Sequence, residues 1–177
     1  MRHRFLILTA VMAAALTTTA AALAGNITAT ATVAGTAGTS LTLPSGPSFS
    51  STLDGTDQTV SYGPLLGVVD ARGTGAGWNL QISATSFVDG FGHSLAPGQV
   101  SSVVAACKAG STCTAPVSSG ITYPLTVTGT AAKFFSAALN TGLGKVDVTP
   151  TIDIVIPGNA FAGTYTSTVT LAATTGP

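Results

Sequence analysis

Apolar and hydroxyl-bearing residues alternate one for one through much of this chain, and that period of two constrains its fold more than any other feature. In Asn26–Val33, Ile27, Ala29, Ala31 and Val33 fall on one face, and Thr28, Thr30 and Thr32 on the other. Trp78, Leu80, Ile82 and Ala84 alternate with Asn79, Gln81 and Ser83, and Ile121, Tyr123, Leu125 and Val127 with Thr122, Thr126 and Thr128. Val146, Val148, Ile152, Ile154 and Ile156 oppose Asp147, Thr149, Thr151 and Asp153, and Tyr165, Val169 and Leu171 oppose a run of threonines. Extended backbone sends successive side chains to opposite faces, so each run predicts a strand with one buried and one hydroxyl-rich face. Turn chemistry separates the runs: Pro44-Ser45-Gly46-Pro47, Asp54-Gly55, Gly73–Gly77, Asp89-Gly90, Pro97-Gly98, Gly142-Leu143-Gly144 and Pro157-Gly158-Asn159. The expectation is an all-β fold, an antiparallel β-sandwich of Ig-like or Greek-key type. Only Ala131–Leu139 has a helical look, and a single turn or an irregular strand accounts for it equally well.

The first residues have the layout of a secretory leader. Arg2, His3 and Arg4 form a basic start, Phe5–Leu16 an apolar stretch and Ala22-Leu23-Ala24 a small-residue cleavage site. The apolar stretch is short of the roughly 20 residues that a membrane span needs. Cleavage after Ala24 leaves Gly25–Pro177, which suits one domain and carries no membrane span. No cysteine lies near the cut to accept a lipid, and Leu43-Pro44-Ser45-Gly46, which superficially resembles a sortase signal, sits near the wrong end.

Charge is scarce, at 7% of residues, and glutamate is absent, so threonine and serine carry the solubility. Beyond the leader, Arg72, Lys108, Lys133 and Lys145 face Asp54, Asp57, Asp70, Asp89, Asp147 and Asp153. That slightly acidic balance leaves no basic patch to neutralise phosphates, which argues against nucleic acid as a partner. Weak self-repulsion also makes self-association a possibility to test. Cys107 and Cys113, with five residues between them in an exported chain, are expected to form a disulfide that closes a small loop.

The stretch Leu65–Phe87, LLGVVDARGTGAGWNLQISATSF, holds the only tryptophan of the chain. Its Trp78-Asn79-Leu80 triplet resembles the first signature of the WxL surface-domain family, exported bacterial domains that attach non-covalently to the cell wall. The family's second signature, a Tyr followed by alternating Thr and another Trp-x-Leu, is partly matched by GTYTSTVTLAATTGP. Tyr165, Thr168 and Thr170 are in place there, while Leu171 and Ala173 stand where the second tryptophan and leucine are expected. The resemblance implies a secreted cell-surface protein whose partner is a cell-wall glycan or another surface protein, and it points to Trp78, Leu80, Asp70, Arg72 and Tyr165 as binding candidates.

Each candidate also has a structural reading. Trp78, Leu80 and Ile82 share a strand face, which is the geometry of a core anchor; the alternative is an indole stacked on a sugar at a rim. Asp70 and Arg72, two apart in extended chain, can pair with each other or with loop backbone to hold a glycine hairpin. Arg72 could instead offer its planar fork to an anionic polymer. No catalytic constellation is visible: His93 is a lone loop histidine expected to be solvated, no Gly-x-Ser-x-Gly elbow exists, and Asp147 and Asp153 are too far apart for an acid/base pair. Asp54-Gly55-Thr56-Asp57 lacks the ligand density of a calcium loop. No metal or cofactor is expected, and no enzymatic activity. The competing function is a fibre subunit in which Asn26–Val33 completes a neighbour's sheet by strand addition.

Overall fold

The computed structural model describes residues 30–118 and 120–177, and every element below lies in the compact unit Val33–Pro177. No helix occurs among the described residues. The strands are β1 Thr39–Thr42, β2 Gln58–Tyr62, β3 Leu66–Asp70, β4 Trp78–Ala84, β5 Phe87–Val88, β6 Ser94–Leu95, β7 Gln99–Cys107, β8 Leu125–Thr126, β9 Ala132–Ala137, β10 Gly144–Ile156 and β11 Val169–Thr175. A six-stranded antiparallel sheet runs β1-β3-β10-β7-β8, with β2 also on β10, and a three-stranded one runs β11-β4-β9. β5 and β6 form a small separate hairpin.

The long alternating runs behave as the pattern dictates. β10 is the spine of the larger sheet: Val146, Val148, Ile152 and Ile154 are buried, while Asp147, Thr149, Thr151 and Asp153 lie on the opposite face. β4 supplies Trp78, Leu80, Ile82 and Ala84 from the smaller sheet to the same interior. Inner faces from two sheets thus make one core, the defining arrangement of a sandwich. β2 and β3 lie end to end along one edge of β10, with Tyr62 opposite Ile152 and Leu66 opposite Val148. They are one strand line interrupted at Gly63-Pro64-Leu65, where Pro64 has no N–H to contribute to the ladder.

Several expectations change. β3 and β4 belong to different sheets, so Gly73–Gly77 is a corner between sheets and not a hairpin. Its Gly73, Gly75 and Gly77 all have positive φ, and a side chain on Gly77 would strike the backbone of Ala137 and Ala138. The Ile121–Val127 strand shrinks to Leu125–Thr126, behind a cis Tyr123–Pro124 bond. The C-terminal strand begins at Val169, which leaves Tyr165 in the preceding loop. Ala132–Ala137 is the irregular strand, with a register shift opposite Leu80/Gln81 that makes room for both Phe134 and Phe135 in the core. Thr30–Val33, the described part of the first alternating run, is exposed and forms no strand, with Val33 93% exposed. The leader and its cut lie outside the described residues.

Candidate functional site

The register of β10 defines two ends of the sandwich. Its first residue, Gly144, lies opposite Asp70, and its last, Ile156, opposite Gln58. Four of the five residues singled out in the sequence gather at the Gly144 end, and the fifth, Tyr165, sits at the other.

At the Gly144 end Trp78 is fully buried. Its ring packs on Phe135 with centroids 5.5 Å apart, and its indole N–H donates to the Gly142 carbonyl at 2.9 Å. Leu80 is equally buried. A large indole with its one donor satisfied and its faces covered is a packing element. Thr175, Ala173 and Leu171 lie opposite Trp78, Leu80 and Ile82, so the two segments that carry the family signatures are hydrogen-bonded neighbours in one sheet.

Asp70 and Arg72 pair as the short spacing suggests. The guanidinium donates to Asp70 from Nε and Nη2, both at 2.8 Å, to the Gly77 carbonyl at 2.7 Å and to Thr175 Oγ1 at 3.0 Å. Those bonds tie β3, the glycine corner and β11 into one joint, and the fork is directed into the fold. Hydrogen bonds from Arg72 hold the Asp70 carboxyl below the usual carboxylate value, against the opposing cost of burial. Nearby, Cys107 and Cys113 form the disulfide, with Cys113 bridged to Gly144.

The Ile156 end has a different character. A groove of about 840 Å³ lies between the chain segment Pro47–Leu53, the end of β10 and the loop Ala160–Ser167. Phe49, Phe87, Phe161 and Tyr165 line it, with serine and threonine hydroxyls around them and no lysine or arginine. Phe49 stacks on Tyr62 at 6.1 Å and meets Phe87 edge-on at 6.0 Å. Beside the groove, His93 stacks on Phe161 at 3.9 Å and its Nδ1 pairs with Asp89 at 2.6 Å. His93 is therefore held, not free in solvent as its lone position in the sequence suggested.

Asp89 organises the β5–β6 tip by also accepting the backbone N–H groups of Phe91 and His93, each at 2.9 Å. Burial pushes its carboxyl up, but these N–H donors and the His93 ring more than reverse that, so it ionises below the usual range. The tip presents Phe91 86% exposed, and Phe161, on which His93 stacks, is 63% exposed. Tyr165 donates to the Phe161 carbonyl at 2.9 Å; burial, then the Asp89 charge, raises its phenol above the ordinary value. Sequence reasoning missed these phenylalanines because they come from separate loops with no shared periodicity. Their one sequence signal is that Phe49, Phe87, Phe91 and Phe161 all fall outside the core strand pattern.

The architecture is an antiparallel sandwich with a buried polar joint at one end and exposed aromatic rings at the other. Residues 45–174 match the WxL domain, a surface cell wall-binding domain, and the chain belongs to that family. It is a secreted cell-surface protein of a wall-binding, non-enzyme family. No curated protein and no solved structure matches the chain.

Proposed function

We propose that the protein attaches non-covalently to a cell-wall glycan through the aromatic Ile156 end, by contact and without chemistry on its ligand. The observation that carries this reading is the contrast between the two ends. Trp78 is 0% exposed, whereas Phe161 lines a hydroxyl-rich groove from the solvent side and Phe91 stands exposed on the β5–β6 tip. Sugar rings have apolar faces and polar rims, so an aromatic platform ringed with serine and threonine offers a partner to each. Tyr165 enters this reading through its hydroxyl, which donates to the Phe161 carbonyl and fixes the loop that carries that ring.

Export accompanies this reading: the leader Met1–Ala24 is removed and Gly25–Pro177 acts as one domain. Intact mass of the secreted protein checks the cut, and residues retained before Gly25 would reject it. Binding is checked by co-sedimentation with purified wall. An aromatic contact contributes about 0.5–1.5 kcal/mol beyond its area, so Phe91→Ala combined with Phe161→Ala should weaken retention roughly tenfold. Both rings are exposed, so thermal stability should stay nearly unchanged. Full retention by the folded double variant would sink the proposal.

A further inference from the structure

The Asp89 pairing decides which ring nitrogen His93 can offer to a ligand. The Asp89 side chain is 2% exposed; its Oδ1 accepts the backbone N–H groups of Phe91 and His93, and its Oδ2 faces the imidazole Nδ1 at 2.6 Å. Asp89 ionises below the usual range, so it is an acceptor and the proton of the neutral ring sits on Nδ1. Nε2 is then left with a lone pair. The Phe161 ring lies nearly parallel to the imidazole, 14° between planes, and holds the plane in which that lone pair points.

His93 lines a second hollow, of about 230 Å³, beside the groove. The two share Leu95, Ala160, Phe161 and Tyr165, so a chain of sugars in the groove borders the hollow. Besides the imidazole, the hollow has the exposed Ser94 hydroxyl and Asn159 amide as donors, while the Tyr165 hydroxyl is committed to the Phe161 carbonyl. Leu95, Pro157 and Phe161 give it apolar walls, and no lysine, arginine or carboxylate lines it. One obligatory acceptor, two donors and an apolar wall in a small space complement a methyl-bearing secondary amide, which presents an N–H, a carbonyl and a methyl group.

We propose that this hollow receives the acetamido group of an N-acetylated sugar, an inference that rests on the glycan reading of the groove. The amide N–H donates to His93 Nε2, Ser94 or Asn159 donates to the amide carbonyl, and the methyl lies against the apolar walls. A sugar with a hydroxyl in that position is too short to meet acceptor and donors together. The bond to Nε2 needs the unprotonated ring. Of the ionisable groups facing the imidazole, Asp89 stays charged and the Tyr165 phenol stays neutral between about pH 8 and 5, where imidazoles take up a proton.

The test compares chitotetraose with cellotetraose, which differ in that substituent, by calorimetry on the exported chain. Chitotetraose should bind about tenfold more tightly, the worth of a further hydrogen bond and its apolar contact. His93→Arg keeps a planar group able to stack on Phe161 and to donate to Asp89, but offers a ligand donors only, so it should cut the preference to about threefold or less. Asn159→Ala, at an exposed turn position, should reduce the preference independently should the arginine variant unfold. NMR of the His93 ring gives a signature that a purely structural role would not move. Saturation with chitotetraose should shift the ring titration to lower pH, because binding and proton uptake compete for Nε2, and cellotetraose should not shift it. Equal affinities for the two sugars, a preference that survives in both variants, or an unmoved titration would each overturn the acetamido assignment and leave the groove reading standing. Displacement of chitotetraose by N-acetylalanine methylamide at equal concentration would overturn it in favour of a peptide amide. Binding of neither sugar also overturns it, and co-sedimentation with purified wall then shows whether the groove reading falls with it.

Discussion

At the scale of single residues, burial separates what holds this fold from what can meet a partner. Trp78→Ala removes an indole from a site with no solvent contact and strands the Gly142 carbonyl it satisfies. The expected cost is about 3–5 kcal/mol, a large part of a domain's stability, read from urea unfolding. A cost under about 1 kcal/mol would show that the ring is not a core anchor. Asp70 makes the complementary case. Its carboxyl is depressed in the folded state, so its contribution is complete above the unfolded value near 3.9 and is lost as pH falls from there through the folded value. Asp89 has the same sign and adds to the same acid limb. Asp70→Asn leaves Arg72 unpaired among buried groups and should cost about 3–5 kcal/mol at neutral pH. Its stability should then fall less steeply below pH 4 than that of the unaltered chain. Parallel acid limbs would mean that the pair does not carry the linkage.

Elements were legible where one face is purely apolar over several residues. β10 follows its alternation through every buried position, and β4 does so except at Asn79, which is buried with its amide donating to the Gly176 carbonyl. β7 escaped because alanine and serine sit on both of its faces and its pairing with β10 slips between Thr151 and Ile152. The Ile121–Val127 run has the right parity, but Pro124 cannot donate to a ladder. The glycine corner read as a hairpin because local turn chemistry does not record which sheet the next strand will join. The cysteine pair was legible from spacing alone, and its position now limits its role. It closes a small ring between the end of β7 and a residue bridged to Gly144, with Cys107 exposed and Cys113 half-buried at the margin of the core. A ring of that length contributes about 2 kcal/mol through chain entropy. Reduction should lower the unfolding midpoint while leaving the near-ultraviolet signal of Trp78 intact below it. Loss of that signal at ambient temperature on reduction would assign the disulfide a global role.

For the whole molecule the decisive feature is that the buried polar joint and the exposed aromatic rings lie at opposite ends of one spine strand. Arg72 and Lys108 at the Gly144 end are paired with Asp70 and Asp147, while Asp54, Asp57, Asp89 and Asp153 lie toward the Ile156 end, so the aromatic groove disfavours a polyanion. The groove was illegible in the sequence because it is assembled from positions as distant as Phe49 and Phe161, which only the pairing of β2 with β10 brings together. This division makes the two kinds of damage separable. Trp78→Phe keeps an aromatic ring in the core but loses the indole donor, so it should lower the unfolding midpoint while each folded molecule binds wall as before. Phe161→Ala removes the ring under His93 and should weaken wall retention with little change in that midpoint. Binding normalised to the folded fraction, measured beside the melting curve for both variants, gives the comparison. If Trp78→Phe lowers retention at temperatures where it is fully folded, the ends are coupled through β10 and the assignment of recognition to one end fails.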